Sequence, residues 1–138
     1  MRCLCHKIAK FQHQPELAST RDSISRSSYY IAKEIGAAAI ITPTWSGSTA
    51  SQVARFRPQQ LILATTPNEQ ALDFMSLAWG VVPIFIPQSE TTEDLIRFSI
   101  NAARKAGFVH SGQHVVITGG APLHVSGSTN FIKVEKVD

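Results

Sequence analysis

The sequence predicts an α/β fold: a three-layer αβα open sheet of five strands in the order 3-2-1-4-5, strands 1 to 4 parallel and strand 5 antiparallel. Three observations carry that expectation. Short apolar runs alternate with helical patterns along the chain, which is how a parallel sheet with right-handed crossovers reads. The third apolar run holds Pro83, which cannot donate to a ladder and so belongs at a sheet edge. The last run, Ile132-Lys133-Val134-Glu135, alternates apolar and charged residues, as an edge strand with one wet face does.

The elements follow in order. Residues 1–20 form a lead-in, partly helical, in which Leu4, Ile8 and Phe11 keep helical spacing until Pro15 interrupts. Residues 21–138 form one domain. From Asp22 the helical pattern sharpens, with Ile24, Ile31, Ala32 and Ile35 on one face and Gly36 where a C-terminal cap belongs. Ala37 to Thr42 reads as a buried strand. Ser46 or Ser48 is placed to cap the next helix, with Val53 and Phe56 facing inward until Pro58 forbids continuation.

Gln60 to Thr65 is the second strand. Thr66-Pro67-Asn68-Glu69 then opens a helix with a capping residue, a proline at the first helical position and a glutamate three after the cap. Ala71, Leu72, Met75 and Ala78 line it, Gly80 closes it, and Trp79 beside that end reads as core. Val81 to Ile86 is the third strand. Thr91-Thr92-Glu93-Asp94 begins what reads as the longest helix, ending at Gly107, and His114 to Thr118 is the fourth strand. Gly119 to Asn130 is too rich in Gly and Ser to be regular.

In the 3-2-1-4-5 order, strands 1 and 4 are neighbours from which the chain winds away in opposite directions. Their carboxyl ends form the switch point where open α/β sheets bind ligands. Two loops leave those ends. The first carries Thr44, Trp45, Ser46, Gly47, Ser48 and Thr49, a helix start whose hydroxyls and unpaired N–H groups suit an anion. The second carries Gly119, Gly120, Ala121, His124, Ser126 and Gly127. Trp45 either stacks on a ligand ring or covers the sheet edge. His124 is placed to reach a ligand phosphate or sugar, whereas His110 and His114 read as fold residues.

Composition narrows the functions. With 17% charged residues and a net charge of +3 over 138 residues, no basic run is dense enough for a nucleic-acid partner. Before Pro58, Arg2, Lys7, Lys10, Arg21, Arg26, Lys33, Arg55 and Arg57 outnumber Glu16, Asp22 and Glu34. From Pro58 to Ile96 the charged residues are all acidic. The half that holds the first loop is therefore the positive one. Cys3 and Cys5 are too close to bridge, and Cys3-x-Cys5-His6 lacks a second pair for zinc, so no metal is expected. No apolar run is long enough for a membrane span, and a cytoplasmic protein is the default expectation. Neither loop carries a Walker lysine, a Gly-x-Gly-x-x-Gly, a Gly-x-Ser-x-Gly or a Ser-x-x-Lys, so binding of phosphate is favoured over chemistry on it.

Taken together, Thr42-Pro43-Thr44-Trp45-Ser46-Gly47-Ser48-Thr49-Ala50, Arg55-Phe56-Arg57-Pro58, Ala64-Thr65-Thr66, Leu77-Ala78-Trp79-Gly80-Val81 and Thr129-Asn130 resemble the C-terminal domain of pyruvate kinase. The likeness covers nearly all of the chain from about Asp22. It implies an effector role, in which the loop matching Thr44 to Thr49 cradles the phosphate of a sugar phosphate or nucleotide and the loop matching Gly119 to Gly127 closes over it. It implies a homodimer formed partly through the last strand. The parent reaction, phosphoryl transfer from phosphoenolpyruvate to ADP with Mg²⁺ and K⁺, belongs in that family to a separate (β/α)₈ barrel whose residues this sequence lacks. No catalytic residues or cofactors are therefore expected here, and a barrel is a further partner if the domain is excised. Gly120-Ala121 offers no arginine for a second phosphate, which favours a monophosphate such as a sugar phosphate or AMP. The alternative expectations are a structural dimerisation module without ligand, and a small enzyme acting through His124.

Overall fold

The computed structural model describes residues 19–120 and 129–138; the lead-in through Ala18, with the metal-ligand candidates Cys3, Cys5 and His6, lies outside them. Among the described residues, four helices and five strands follow one another. They are α1 (Thr20–Ile35), β1 (Ala39–Pro43), α2 (Ser48–Ala54), β2 (Leu61–Thr66), α3 (Glu69–Met75), β3 (Val81–Phe85), α4 (Thr92–Lys105), β4 (His114–Gly120) and β5 (Thr129–Lys136). The sheet order is β3-β2-β1-β4-β5, parallel throughout except for β4 against β5. This is the predicted order. Pro83 lies in the edge strand β3, opposite Ala64.

Helix placement follows from crossover handedness. The connections through α2 and α3 step the same way along the sheet and so lie on one face, packing Ala50, Val53, Ala71 and Met75 against Ile40, Ile62 and Ala64. The connection through α4 steps back to β4 and must cover the opposite face, where Ile96 and Ala103 meet Ile41, Leu63, Val115 and Ile117. Every residue of β1 is buried, as expected of a central parallel strand covered on both sides.

Several local readings hold and several are corrected. Gly36 caps α1 in the left-handed conformation at φ 63°, and Thr91 caps α4 by accepting from the Asp94 N–H. However, α1 and not α4 is the longest described helix, with 16 residues against 14. The residues of α1 that are fully covered are Ser25, Ser28 and Ala32, while Ile35 is 43% exposed. Small side chains let this helix sit close to the sheet, and the Ser28 hydroxyl is satisfied locally by donating to the Ile24 carbonyl. The cap of α3 is Asn68, whose Oδ1 accepts from the Gln70 N–H; Thr66 remains in β2 and its hydroxyl accepts from the Asn68 N–H. Trp79 is 56% exposed, with the Arg57 guanidinium 4.9 Å above its ring, and is not core. Residues 119 and 120, read from the sequence as loop, extend β4; Thr129 and Asn130 likewise begin β5.

Candidate functional site

The carboxyl ends of β1 and β4 lie side by side. A Cβ on Gly119 would stand 2.8 Å from the Pro43 carbonyl oxygen, so the approach requires glycine there. Gly120 pairs with Thr129, so the connection between them leaves and returns at this rim. Of the second-loop candidates, Gly119 and Gly120 are strand residues, and Ala121, His124, Ser126 and Gly127 lie outside the described residues.

The turn from β1 into α2 is fastened to its neighbours at several points. The Thr44 N–H donates to the Thr65 carbonyl at 2.9 Å, and the buried Thr44 hydroxyl accepts from the Gly47 N–H at 3.0 Å. Asn68 of the α3 cap donates from Nδ2 to the Trp45 carbonyl at 3.1 Å; Trp45 and Ser46 are half-buried. Gly47 has φ 92° and leaves no room for a side chain, because a Cβ would stand 2.7 Å from Met75 Cγ. The hydroxyls of Thr49 and Thr129 share a buried hydrogen bond of 2.7 Å, which ties the first turn of α2 to the start of β5.

Two consequences follow for an anion. First, the cap is Gly47 and not Ser46 or Ser48; glycine brings no capping side chain. The helical ladder of α2 begins only where the Ser51 N–H meets the Gly47 carbonyl, so the N–H groups of Ser48, Thr49 and Ala50 precede it. Second, Thr44 and Thr49 spend their hydroxyls inside the protein, leaving Ser46 and Ser48 as the hydroxyls nearer the surface of the turn. The Ser48 hydroxyl accepts from Arg21 Nη1 at 3.2 Å. This guanidinium was not singled out from the sequence. The available signal was topological: α1 runs down onto β1 and must therefore start at the rim where β1 ends.

A cavity of about 310 Å³ lies elsewhere, between α4 and β5. Its three basic side chains are engaged within the protein. Arg97 bridges Asp94 and Lys133 bridges Glu135, both at 2.8 Å, and Arg104 donates to the Asp138 carbonyl. The hydrogen bond to Glu135 raises the Lys133 ammonium's pKa. The β1–α2 rim differs in setting a guanidinium beside amides that have no capping side chain. Among the described residues there is no group of three or more His, Cys, Asp or Glu side chains able to hold a metal ion, and no helix long and apolar enough to cross a membrane.

An open, five-stranded α/β sheet with one antiparallel edge strand, whose switch point presents a glycine-capped helix start beside an arginine, defines the class of domain. The comparisons make the family specific. Residues 22–135 match the family model described as "Pyruvate kinase, alpha/beta domain". The chain is 40% identical to the pyruvate kinase of Clostridium acetobutylicum over 123 residues, which is 89% of this chain and 26% of that protein. It is 37% identical to that of Geobacillus stearothermophilus over 137 residues, 99% of this chain and 23% of the relative. For pyruvate kinase 2 of a Synechocystis species the identity is 38% over 126 residues, 91% and 21% respectively. The chain belongs to the pyruvate kinase alpha/beta (C-terminal) domain family, and it spans about a quarter of the length of these relatives.

Proposed function

We propose that the chain is the effector-binding and subunit-assembly domain of a pyruvate kinase-type phosphotransferase, and that the β1–α2 turn holds the phosphate of a sugar phosphate or nucleotide. The observation that carries this reading is the Arg21–Ser48 contact. It sets a guanidinium beside a helix start whose first N–H groups have no capping side chain, which is the arrangement a phosphomonoester needs. Ser46 adds a hydroxyl, and Ala121, His124, Ser126 and Gly127 lie in the connection that leaves and returns at the same rim. In the whole enzyme, phosphoryl transfer from phosphoenolpyruvate to ADP, with Mg²⁺ and K⁺, belongs to the polypeptide that this domain accompanies in its relatives. This chain by itself transfers no phosphate, and its setting is the cytoplasm.

Calorimetric titration of the chain with inorganic phosphate, ribose 5-phosphate and AMP tests the site. Saturable binding is expected, weakened about tenfold by Arg21→Ala, which removes a charged hydrogen-bond donor. No heat at millimolar ligand, with Arg21→Ala and Ser46→Ala indifferent, refutes the reading.

Assembly rests on a different observation. β5 pairs with β4 on one side only and leaves Val134 44% exposed, so its outer edge is open to a second copy. Light scattering should find a dimer that Val134→Asp disperses. A dimer without phosphate binding leaves the purely structural module as the function.

A further inference from the structure

We infer that the interface between α1 and the carboxyl halves of β1 and β4 holds an internal water molecule, bonded by the hydroxyls of Ser25 and Thr42. Both residues are fully buried, at 0% exposure, and among the described residues theirs are the buried side-chain oxygens without a hydrogen-bond partner. Burying a hydroxyl unpaired is costly, and such groups are ordinarily satisfied by the protein or by bound water. Ser28, equally covered, shows the protein's own solution: it donates to the Ile24 carbonyl of its helix. Ser25 makes no such bond.

The two oxygens belong to one layer. Ala32 packs with Ile40 and Val116, which fixes the side of the sheet that α1 covers. Side chains alternate along a strand, so Thr42 and Thr118, each two residues further on, lie on that same side. Ile40 stands opposite Val116 in the parallel ladder, so Thr42 and Thr118 are neighbours across it. Ser25 precedes Ala32 by seven residues, about two turns back along the same stripe of α1 and toward the carboxyl rim. The Thr118 hydroxyl donates to the Phe131 carbonyl and keeps its acceptor lone pairs. Ser25, Thr42 and Thr118 thus supply about three partners, the number a buried water usually takes. The fully buried polar residues of the domain are all serine or threonine, so a small neutral donor and acceptor fits this layer and an ion does not. The site lies beneath the rim and is independent of any ligand at the β1–α2 turn.

The test is thermal unfolding of the 138-residue chain carrying Thr42→Val or Ser25→Ala, together with a crystal structure of the unmodified chain. A water held by both hydroxyls loses a partner with either substitution, so each variant should lower Tm by about 3–5 °C. The double variant should fall by less than the sum of the two, because both act on the same molecule. The crystal structure should show a water within hydrogen-bond distance of Ser25 Oγ and Thr42 Oγ1. A Thr42→Val chain with an unchanged or higher Tm overturns the proposal, since removing a dry, unpaired hydroxyl relieves a cost. Strictly additive single variants overturn it as well, and so does a crystal structure in which the two oxygens bond only protein atoms.

Discussion

Gly36 and Gly47 both sit at helix ends in the left-handed region, with φ 63° and 92°, yet their surroundings are opposite. A Cβ added at Gly36 would have nothing within 4 Å, and the residue serves only to let the chain leave α1. Gly47 is enclosed by Met75 and Phe74, and its N–H is held by Thr44. One glycine answers a purely local demand. The other is part of a packed junction, so the shape of the candidate site is set by α3 as much as by the turn's own residues.

The comparison can be broken by substitution. Gly47→Ala adds a Cβ that meets Met75 and forces a non-glycine residue to positive φ; the expected loss is about 3 kcal/mol or more by urea denaturation, with phosphate binding lost alongside. Gly119→Ala isolates the steric part, since its Cβ meets the Pro43 carbonyl, and should cost about 2 kcal/mol. Thr49→Val leaves the Thr129 hydroxyl buried and unpaired, for a loss of about 1–2 kcal/mol; the double variant with Thr129→Val should lose less than the sum of the two singles. Gly36→Ala meets no neighbour and should cost only about 1 kcal/mol, with ligand affinity unchanged. If Gly36→Ala and Gly47→Ala were equally costly, packing around Gly47 would have no energetic role and the contrast would collapse.

What was legible from the residues divides along the same line. The Gly36 cap, the Thr91 cap, the edge position of Pro83 and the edge position of the last strand each depend on a few neighbours in sequence, and each was readable; the predicted alternation of burial along that last strand is not seen, since Val134 is exposed beside Lys133. The misread positions have a common cause. Thr66 gave way to Asn68 as a cap because β2 continues through it to stay in register with Phe85. Gly119 and Gly120 are strand because β5 begins early enough to pair with them. On α1 the predicted Ala32 is buried and Ile31 packs against the core, but Ile35 is exposed and Ser25 and Ser28 are covered in addition, and Trp79 stays at the surface under Arg57.

By itself the sequence determined the strand order and the rim at which a ligand is to be sought, because periodicity, proline and glycine act through local backbone sterics. Which hydroxyls remain at that rim was decided only by the tertiary structure. Thr49 is spent on Thr129, 80 positions away, and Arg21 is brought onto Ser48 from another helix. A hydrogen bond between groups so distant along the chain exists only once the sheet has assembled, so no local pattern records it.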